Sequence, residues 1–305
     1  MSTRPTSIIP AGTIRPKVTI PAFQEKRRLG QPLVVVTAYD FPTAQIADEA
    51  GVDAILVGDS LAMVVLGHPD TLSVTMDEML HHAKAVARGA RAPLLIGDMP
   101  FLSYQVDDGE AVRNAGRFLK EAGMDAVKLE GGAAFATTVR AIVRAGMPVQ
   151  GHIGLRPQSH HLLGGYKVQA RTAKTAQALL EDALALQEAG CFSLVLEGVP
   201  DRVAALVTER LRIPTIGIGA GPGTSGQVLV THDLAGFGFG GPAPRFVKRY
   251  ADLAGTLRDA LTAYAADVRA HTFPSPEHSY SIQDDEWTAF LALLRAPDPA
   301  VEIAR

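Results

Sequence analysis

Ala54-Ile55-Leu56-Val57-Gly58-Asp59-Ser60 is the stretch that decides the fold. An apolar run this short, bounded by glycine, is a strand buried on both faces, with Asp59 and Ser60 at its carboxyl end. The pattern recurs. Leu94-Leu95-Ile96-Gly97-Asp98, Ala126-Val127-Lys128-Leu129-Glu130 and Ser193-Leu194-Val195-Leu196-Glu197 are further apolar runs, and each ends on a carboxylate. Acids at the ends of four buried strands point to a site.

Helical patterns fill the spaces between the runs. Leu33 to Asp40 is a strand, followed by a helix from Pro42 to Ala50 with proline in its first turn and Gly51 as its stop. After the opening strand, a loop from Leu66 to Ser73 leads to a helix over Thr75 to Ala87, and Thr75 with Glu78 three residues on makes a capping box. Helices over Glu110 to Ala122 and Ala133 to Ala145 flank the strand that ends at Glu130, and Pro148 to His152 is the fifth strand. The segment Ile153 to Gln169 is long for a connection, which marks it as a lid or an interface. A helix over Thr172 to Ala189, the strand ending at Glu197, and a helix to Leu211 capped by Asp201 come next. Pro214 to Gly219 and Val228 to Thr231 complete eight strands. That alternation predicts an α/β fold, a (β/α)8 TIM barrel. Its expected extent is residues 17–271, including a lead-in helix over Ile20 to Leu29 and a last helix over Phe246 to Ala270. Residues 1–16, rich in Thr, Pro and Ser, read as a disordered segment, and residues 272–305 as a C-terminal extension with a short helix near Trp287 to Leu294.

Composition narrows the function classes. Apolar residues make up 47% of the 305 and charged residues 20%, so a sizeable core is available, and the net charge of -3 with no long basic block argues against nucleic acid or an anionic membrane as partner. No apolar stretch approaches the ~20 residues of a membrane span, and no leader is visible, so a cytoplasmic protein acting on a small ligand is expected. Cys191, the single cysteine, has no partner for an intrachain disulfide and reads as a small buried hydrophobe.

In such a barrel the carboxyl ends of the strands converge on one mouth. Asp40, Asp59, Ser60, Asp98, Glu130, His152, Glu197 and Asp233 sit at such ends. Each acid alone could be a helix cap. Several together repel and raise one another's pKa, so a cation is expected among them, and oxygen ligands favour Mg²⁺ or Mn²⁺ over zinc. Lys128 and Glu130, two apart in one strand, face the same side. Lys128 is a Schiff-base nucleophile, a charge for an anionic substrate, or a counter-ion to the acids. His152 is a general acid, a substrate contact or a structural histidine. His81 and His82 read as solvated on a surface helix, and His160 and His161 fall in the long loop. Gly217-Ile218-Gly219-Ala220-Gly221 is either a phosphate cradle or a tight barrel turn.

Six segments in order resemble a known family. Thr37-Ala38-Tyr39-Asp40, Val57-Gly58-Asp59-Ser60, Gly97-Asp98-Met99-Pro100-Phe101, Val127-Lys128-Leu129-Glu130-Gly131-Gly132, Gly151-His152-Ile153-Gly154-Leu155 and Gly217-Ile218-Gly219-Ala220-Gly221 are similar to the ketopantoate hydroxymethyltransferase family, over roughly Val18 to Tyr280. The resemblance implies a barrel of the phosphoenolpyruvate mutase/isocitrate lyase type. It also implies transfer of a hydroxymethyl group from 5,10-methylenetetrahydrofolate to 3-methyl-2-oxobutanoate, the first step of pantothenate synthesis. One Mg²⁺ per subunit and a homo-oligomer, commonly a decamer, are implied as well. Matched residue by residue, Asp59, Asp98 and Glu130 correspond to the metal site. Asp59, Ser60, Asp98 and Lys128 correspond to oxoacid contacts, with His152 a further substrate contact, and Glu197 to the proton acceptor. Gly223-Thr224-Ser225-Gly226-Gln227 lacks the family's usual acid before Gly-Gln, and the tail after Tyr280 is longer than usual. Two rivals stand beside this reading. One is a lyase or class II aldolase of the same superfamily, which usually carries a reactive loop cysteine, whereas Cys191 lies at the start of its strand. The other is a barrel that binds a metal or oxoacid without catalysis.

Overall fold

The computed structural model describes residues 15–238 and 244–295. The expected disordered segment, up to residue 14, therefore lies outside the described residues. By their contacts the described residues form two units, one through Ala251 and one from Asp252.

The first unit is a closed barrel of eight parallel strands in sequence order, with β8 pairing back onto β1. In chain order the elements are α1 (Ile20–Arg28), β1 (Leu33–Thr37), α2 (Phe41–Glu49), β2 (Ala54–Val57), α3 (Leu61–Val64), α4 (Met76–Gly89), β3 (Leu94–Asp98), α5 (Asp108–Ala122), β4 (Ala126–Glu130) and α6 (Ala136–Arg144). They continue with β5 (Val149–Gly154), α7 (His160–Leu163), α8 (Ala173–Ala189), β6 (Ser193–Glu197), α9 (Asp201–Arg210), β7 (Thr215–Ile218), β8 (Gly226–Leu229) and α10 (Thr231–Leu234). The expected eight strands are all present.

Alternation along the strands sorts side chains into two cores. Outward residues such as Ile55, Val57, Leu95, Val127, Leu129, Leu194 and Leu196 pack with the helices. Inward residues Leu33, Val35, Ala54, Leu56, Leu94, Ile96, Ala126, Val195, Ile216 and Val228 fill the barrel interior. The interior is apolar toward the amino ends of the strands and polar toward the carboxyl ends, where Asp98, Lys128, Glu130, His152 and Glu197 continue the same inward rows. Helix α1 closes the apolar end. Phe23, fully buried, meets Phe192 edge to face with ring centroids 6.0 Å apart, and Arg27 donates to the carbonyls of Thr208 and Leu211.

Several boundaries differ from the sequence reading. Strand β8 begins at Gly226 rather than Val228, because Gly226 pairs with Leu33 so closely that a Cβ there would stand 2.3 Å from the Leu33 carbonyl oxygen. Glycine at this position permits the close strand contact. Asp233 therefore lies in α10 and not at a strand end. Asp201 is the first residue of α9 and Pro200 its cap. The capping box of Thr75 and Glu78 on α4 is present as expected.

The second unit holds α11 (Leu253–Arg269) and α12 (Asp284–Arg295). Helix α11 starts seven residues after the expected Phe246, where the Asp252 side chain accepts the Gly255 N–H. Among the described residues no helix is long and apolar enough to cross a membrane.

Candidate active site

Strands β2 to β6 bring their terminal side chains into one buried chain of contacts. The Asp59 N–H donates to Asp98 Oδ2 at 3.1 Å. Lys128 Nζ donates to both Asp98 oxygens at 2.7 Å and lies 3.9 Å from Glu130 Oε1. His152 stands between two acids, with Nδ1 3.4 Å from Glu130 Oε1 and Nε2 3.2 Å from Glu197 Oε2. Neither contact is aligned as a hydrogen bond, so both ring nitrogens and Glu130 Oε1 are buried without a partner. Glu197 is the most open of the group, with 16% of its side chain exposed against 2% for Glu130 and His152. Ser60 Oγ is 2.9 Å from the Tyr39 hydroxyl beside this chain.

Gln158 and Tyr104 join the site without having been singled out from sequence. Gln158 Nε2 donates to Asp59 Oδ2 and to the Met99 carbonyl, each at 2.9 Å, and the Gln158 N–H donates to Glu130 Oε2 at 3.0 Å. Its Oε1 accepts from the Tyr104 hydroxyl at 2.8 Å and from Gln105 Nε2 at 3.2 Å. A hydroxyl has one proton to give, so Tyr104 accepts from the Glu130 N–H, 3.1 Å away, and its donation fixes which way the Gln158 amide points. Thus one oxygen each of Asp59 and Glu130 is pinned by Gln158. The only sequence signal was the unusual length of the loop after β5, at whose start Gln158 lies.

Burial works against every charge here, and the neighbours decide the outcome. Burial, then the Asp98 and Glu130 charges, hold the Asp59 carboxyl well above the usual range despite Lys128. Burial opposes ionisation of Glu130, but His152 and Lys128 prevail and lower it. Burial and Lys128 disfavour a charged His152, yet the carboxylates on either side hold it up at about 9. Lys128 is likewise desolvated, and Asp98, Glu130 and Asp59 keep it firmly protonated. Four carboxylates, Asp59, Asp98, Glu130 and Glu197, thus face two cations, Lys128 and His152. The acids outnumber the basic groups, and Glu130 Oε1 is a buried oxygen with no hydrogen-bond partner.

The other sequence candidates separate. Asp40 caps α2, accepting from the Thr43 N–H at 2.8 Å, and is exposed. His82 is half-buried rather than fully solvated: its Nδ1 lies 2.6 Å from the Tyr39 carbonyl oxygen, which ties α4 to the end of β1. Gly219 and Gly221 have φ of +61° and +74°, and a Cβ at Gly221 would stand 2.4 Å from that of Asp201, so the glycine run serves a tight turn. Cys191 is buried, and burial pushes its thiol up to about 12. Among the described residues, the group of three metal-ligating side chains with atoms all within 4.8 Å of one another is Asp70, His160 and His161, not the strand-end acids. A cavity of about 150 Å³ lined by Gly132, Gly154, Arg156, Gln169, Thr175 and Asp182 contains none of the strand-end acids.

A closed parallel barrel with acids at its strand ends belongs to a recognisable class. The chain superposes on 2,3-dimethylmalate lyase, a solved PEP mutase/isocitrate lyase superfamily member, with a TM-score of 0.56 at 17% identity, over 91% of this chain and 96% of that one. Phosphonopyruvate hydrolase, solved in complex with oxalate and Mg²⁺, gives 0.56 at 14% identity over 90% and 98%. The fold is therefore a (β/α)8 barrel of the phosphoenolpyruvate mutase/isocitrate lyase type. The family model for ketopantoate hydroxymethyltransferase matches residues 17–276. The 3-methyl-2-oxobutanoate hydroxymethyltransferase of Syntrophobacter fumaroxidans is 58% identical over 273 residues, covering 88% of this chain and 95% of that protein. Its counterpart in Chloroflexus aggregans is 55% identical over 278 residues, covering 91% and 99%. The chain belongs to the ketopantoate hydroxymethyltransferase family.

Proposed function

We propose that this enzyme transfers a hydroxymethyl group from 5,10-methylenetetrahydrofolate to 3-methyl-2-oxobutanoate, giving 2-dehydropantoate for pantothenate synthesis. Beside family membership, the observation that carries the reading is the buried Glu130 Oε1, which has no hydrogen-bond partner. Asp59, Asp98 and Glu130 would hold one Mg²⁺ per subunit, which supplies Lewis acidity for an oxoacid enolate. Lys128, fixed on Asp98, places an ammonium where the oxoacid carboxylate needs a counter-charge. Ser60, held by Tyr39, is a hydroxyl contact for the same substrate.

Glu197 takes the C3 proton. It is outside the three proposed ligands, is reachable from the mouth, and lies 3.2 Å from the His152 ring. The electron pair left at C3 then forms the new carbon–carbon bond to the one-carbon unit of the donor, water supplies the hydroxyl group, and both bonds from that carbon to folate nitrogens break, the nitrogens taking up the C3 proton and the second proton of the water. The reading extends to a cytoplasmic homo-oligomer, the decamer that the resemblance implies. Product analysis with and without the folate donor is the test. The proposal expects 2-dehydropantoate only with donor and divalent ion together; cleavage of the oxoacid without folate would favour a lyase, and no product a binding barrel.

A further inference from the structure

The side chains of Asp70, His160 and His161 lie outside the chain of acids just described, and each presents one ligand atom to the other two within 4.8 Å. Asp70 belongs to the loop between α3 and α4. The histidines begin α7, in the loop after β5.

The hydrogen bonds already made fix what each group has left to offer. His160 Nδ1 lies 2.9 Å from the Pro157 carbonyl oxygen. A carbonyl oxygen only accepts, so Nδ1 carries the proton, and Nε2 of the neutral ring holds the lone pair. Asp70 Oδ1 accepts the Leu72 N–H at 2.9 Å, which leaves Oδ2. These two remaining atoms, Nε2 and Oδ2, face each other at 3.9 Å. Both are acceptors. The two side chains are only 13% and 20% exposed, so water does little to relieve their repulsion. A proton on Nε2 would turn the contact into a loose ion pair, since 3.9 Å is too long for a hydrogen bond. A cation between them satisfies both lone pairs, and a histidine whose other nitrogen is held by a backbone carbonyl is the usual arrangement of a metal ligand. Stacking of the His160 ring on Tyr166, with planes 3° apart, keeps that orientation, and the exposed His161 adds a second imidazole.

We propose that Asp70, His160 and His161 form a second cation site, at the rim of the barrel mouth, selective for a divalent transition ion of the Zn²⁺ class. Two imidazole nitrogens and one carboxylate oxygen favour such an ion, whereas the all-oxygen group of Asp59, Asp98 and Glu130 favours Mg²⁺. The ligand atoms, within 4.8 Å of one another, stand somewhat wider than the ~2.1 Å bonds of such an ion would hold them, so the side chains would draw in on binding. An ion there ties the loop after α3 to the loop after β5. This site does not depend on the reaction proposed above.

The test is titration of the full chain with Co²⁺ in saturating Mg²⁺, followed by visible absorption. The proposal expects one Co²⁺ per chain with a d–d band, and affinity weaker by about tenfold or more in each of Asp70→Asn, His160→Gln and His161→Gln. Asp70→Asn keeps the acceptor for Leu72, and His161 is exposed, so these two variants keep the fold. Absence of a band in saturating Mg²⁺ would overturn the proposal. Equal affinity in the three variants would also overturn it and report an adventitious ion only.

Discussion

Lys128 carries its charge into the barrel on Asp98, so its removal leaves a buried carboxylate without a partner. Lys128→Met is expected to lower stability by about 3–5 kcal/mol and, by calorimetry, to weaken oxoacid binding more than Mg²⁺ binding; unchanged oxoacid affinity would leave Lys128 a structural ion pair. Gln158 makes a subtler prediction. Gln158→Leu removes the donor that pins Asp59, and Mn²⁺ affinity read by electron paramagnetic resonance should fall about 10–100-fold, with equal affinity contradicting its positioning role. At Cys191 a thiol raised from 9 to about 12 holds far less thiolate than an unfolded one at pH 8, since folding favours the protonated form throughout that window. A thiol reagent should react about a thousandfold more slowly with native than with unfolded chain. The acids were legible in sequence because each follows an apolar run, and Lys128 because it interrupts one two residues before Glu130, where a charge in a buried strand has few structural excuses. Gln158 was not legible, because a neutral amide in a loop has no period, and its partners Asp59 and Glu130 are 99 and 28 residues away.

Local chemistry decided most elements correctly. Thr75 and Glu78 announced the start of α4, and both halves of their reciprocal capping are present, so Thr75→Ala should cost about 1 kcal/mol in thermal or denaturant unfolding. Where glycine or aspartate signals had two meanings, local reading failed. Gly226 opens β8 two residues before the expected Val228, and Asp252 rather than the residues near Phe246 begins α11. Helix α1 was legible as a helix, but nothing in its pattern said that Phe23 would seal the barrel floor, because Phe192, its partner, is remote in sequence. Phe23→Ala is expected to destabilise the fold by about 3–5 kcal/mol. Turnover per folded molecule should stay unchanged, since the site lies at the opposite ends of the strands; a matching loss of turnover would show the floor and the mouth to be coupled.

Eight strands with helices between them made the barrel readable from alternation alone, and convergence of the strand ends made the mouth readable from the barrel. Assembly is less legible, because a surface that meets another copy looks like any other apolar face. Leu253, Leu257, Leu261, Tyr264 and Val268 lie at helical spacing on α11, the stretch at which the proposed homo-oligomer is tested. Light scattering should find a multimer for the native chain and a smaller species for a Leu257→Glu, Leu261→Glu double variant. The central claim concerns the whole mouth acting together: a divalent ion on three acids, Lys128 for the carboxylate, and Glu197 as the base. Exchange of the oxoacid C3 proton in D₂O, followed by proton NMR without folate, bears on it most directly. Wild-type enzyme with Mg²⁺ should exchange that proton, chelation should abolish the exchange, and Glu197→Gln should slow it by roughly two to four orders of magnitude while still binding oxoacid. Exchange that survives exhaustive chelation, or that runs at the wild-type rate in Glu197→Gln, would contradict the account.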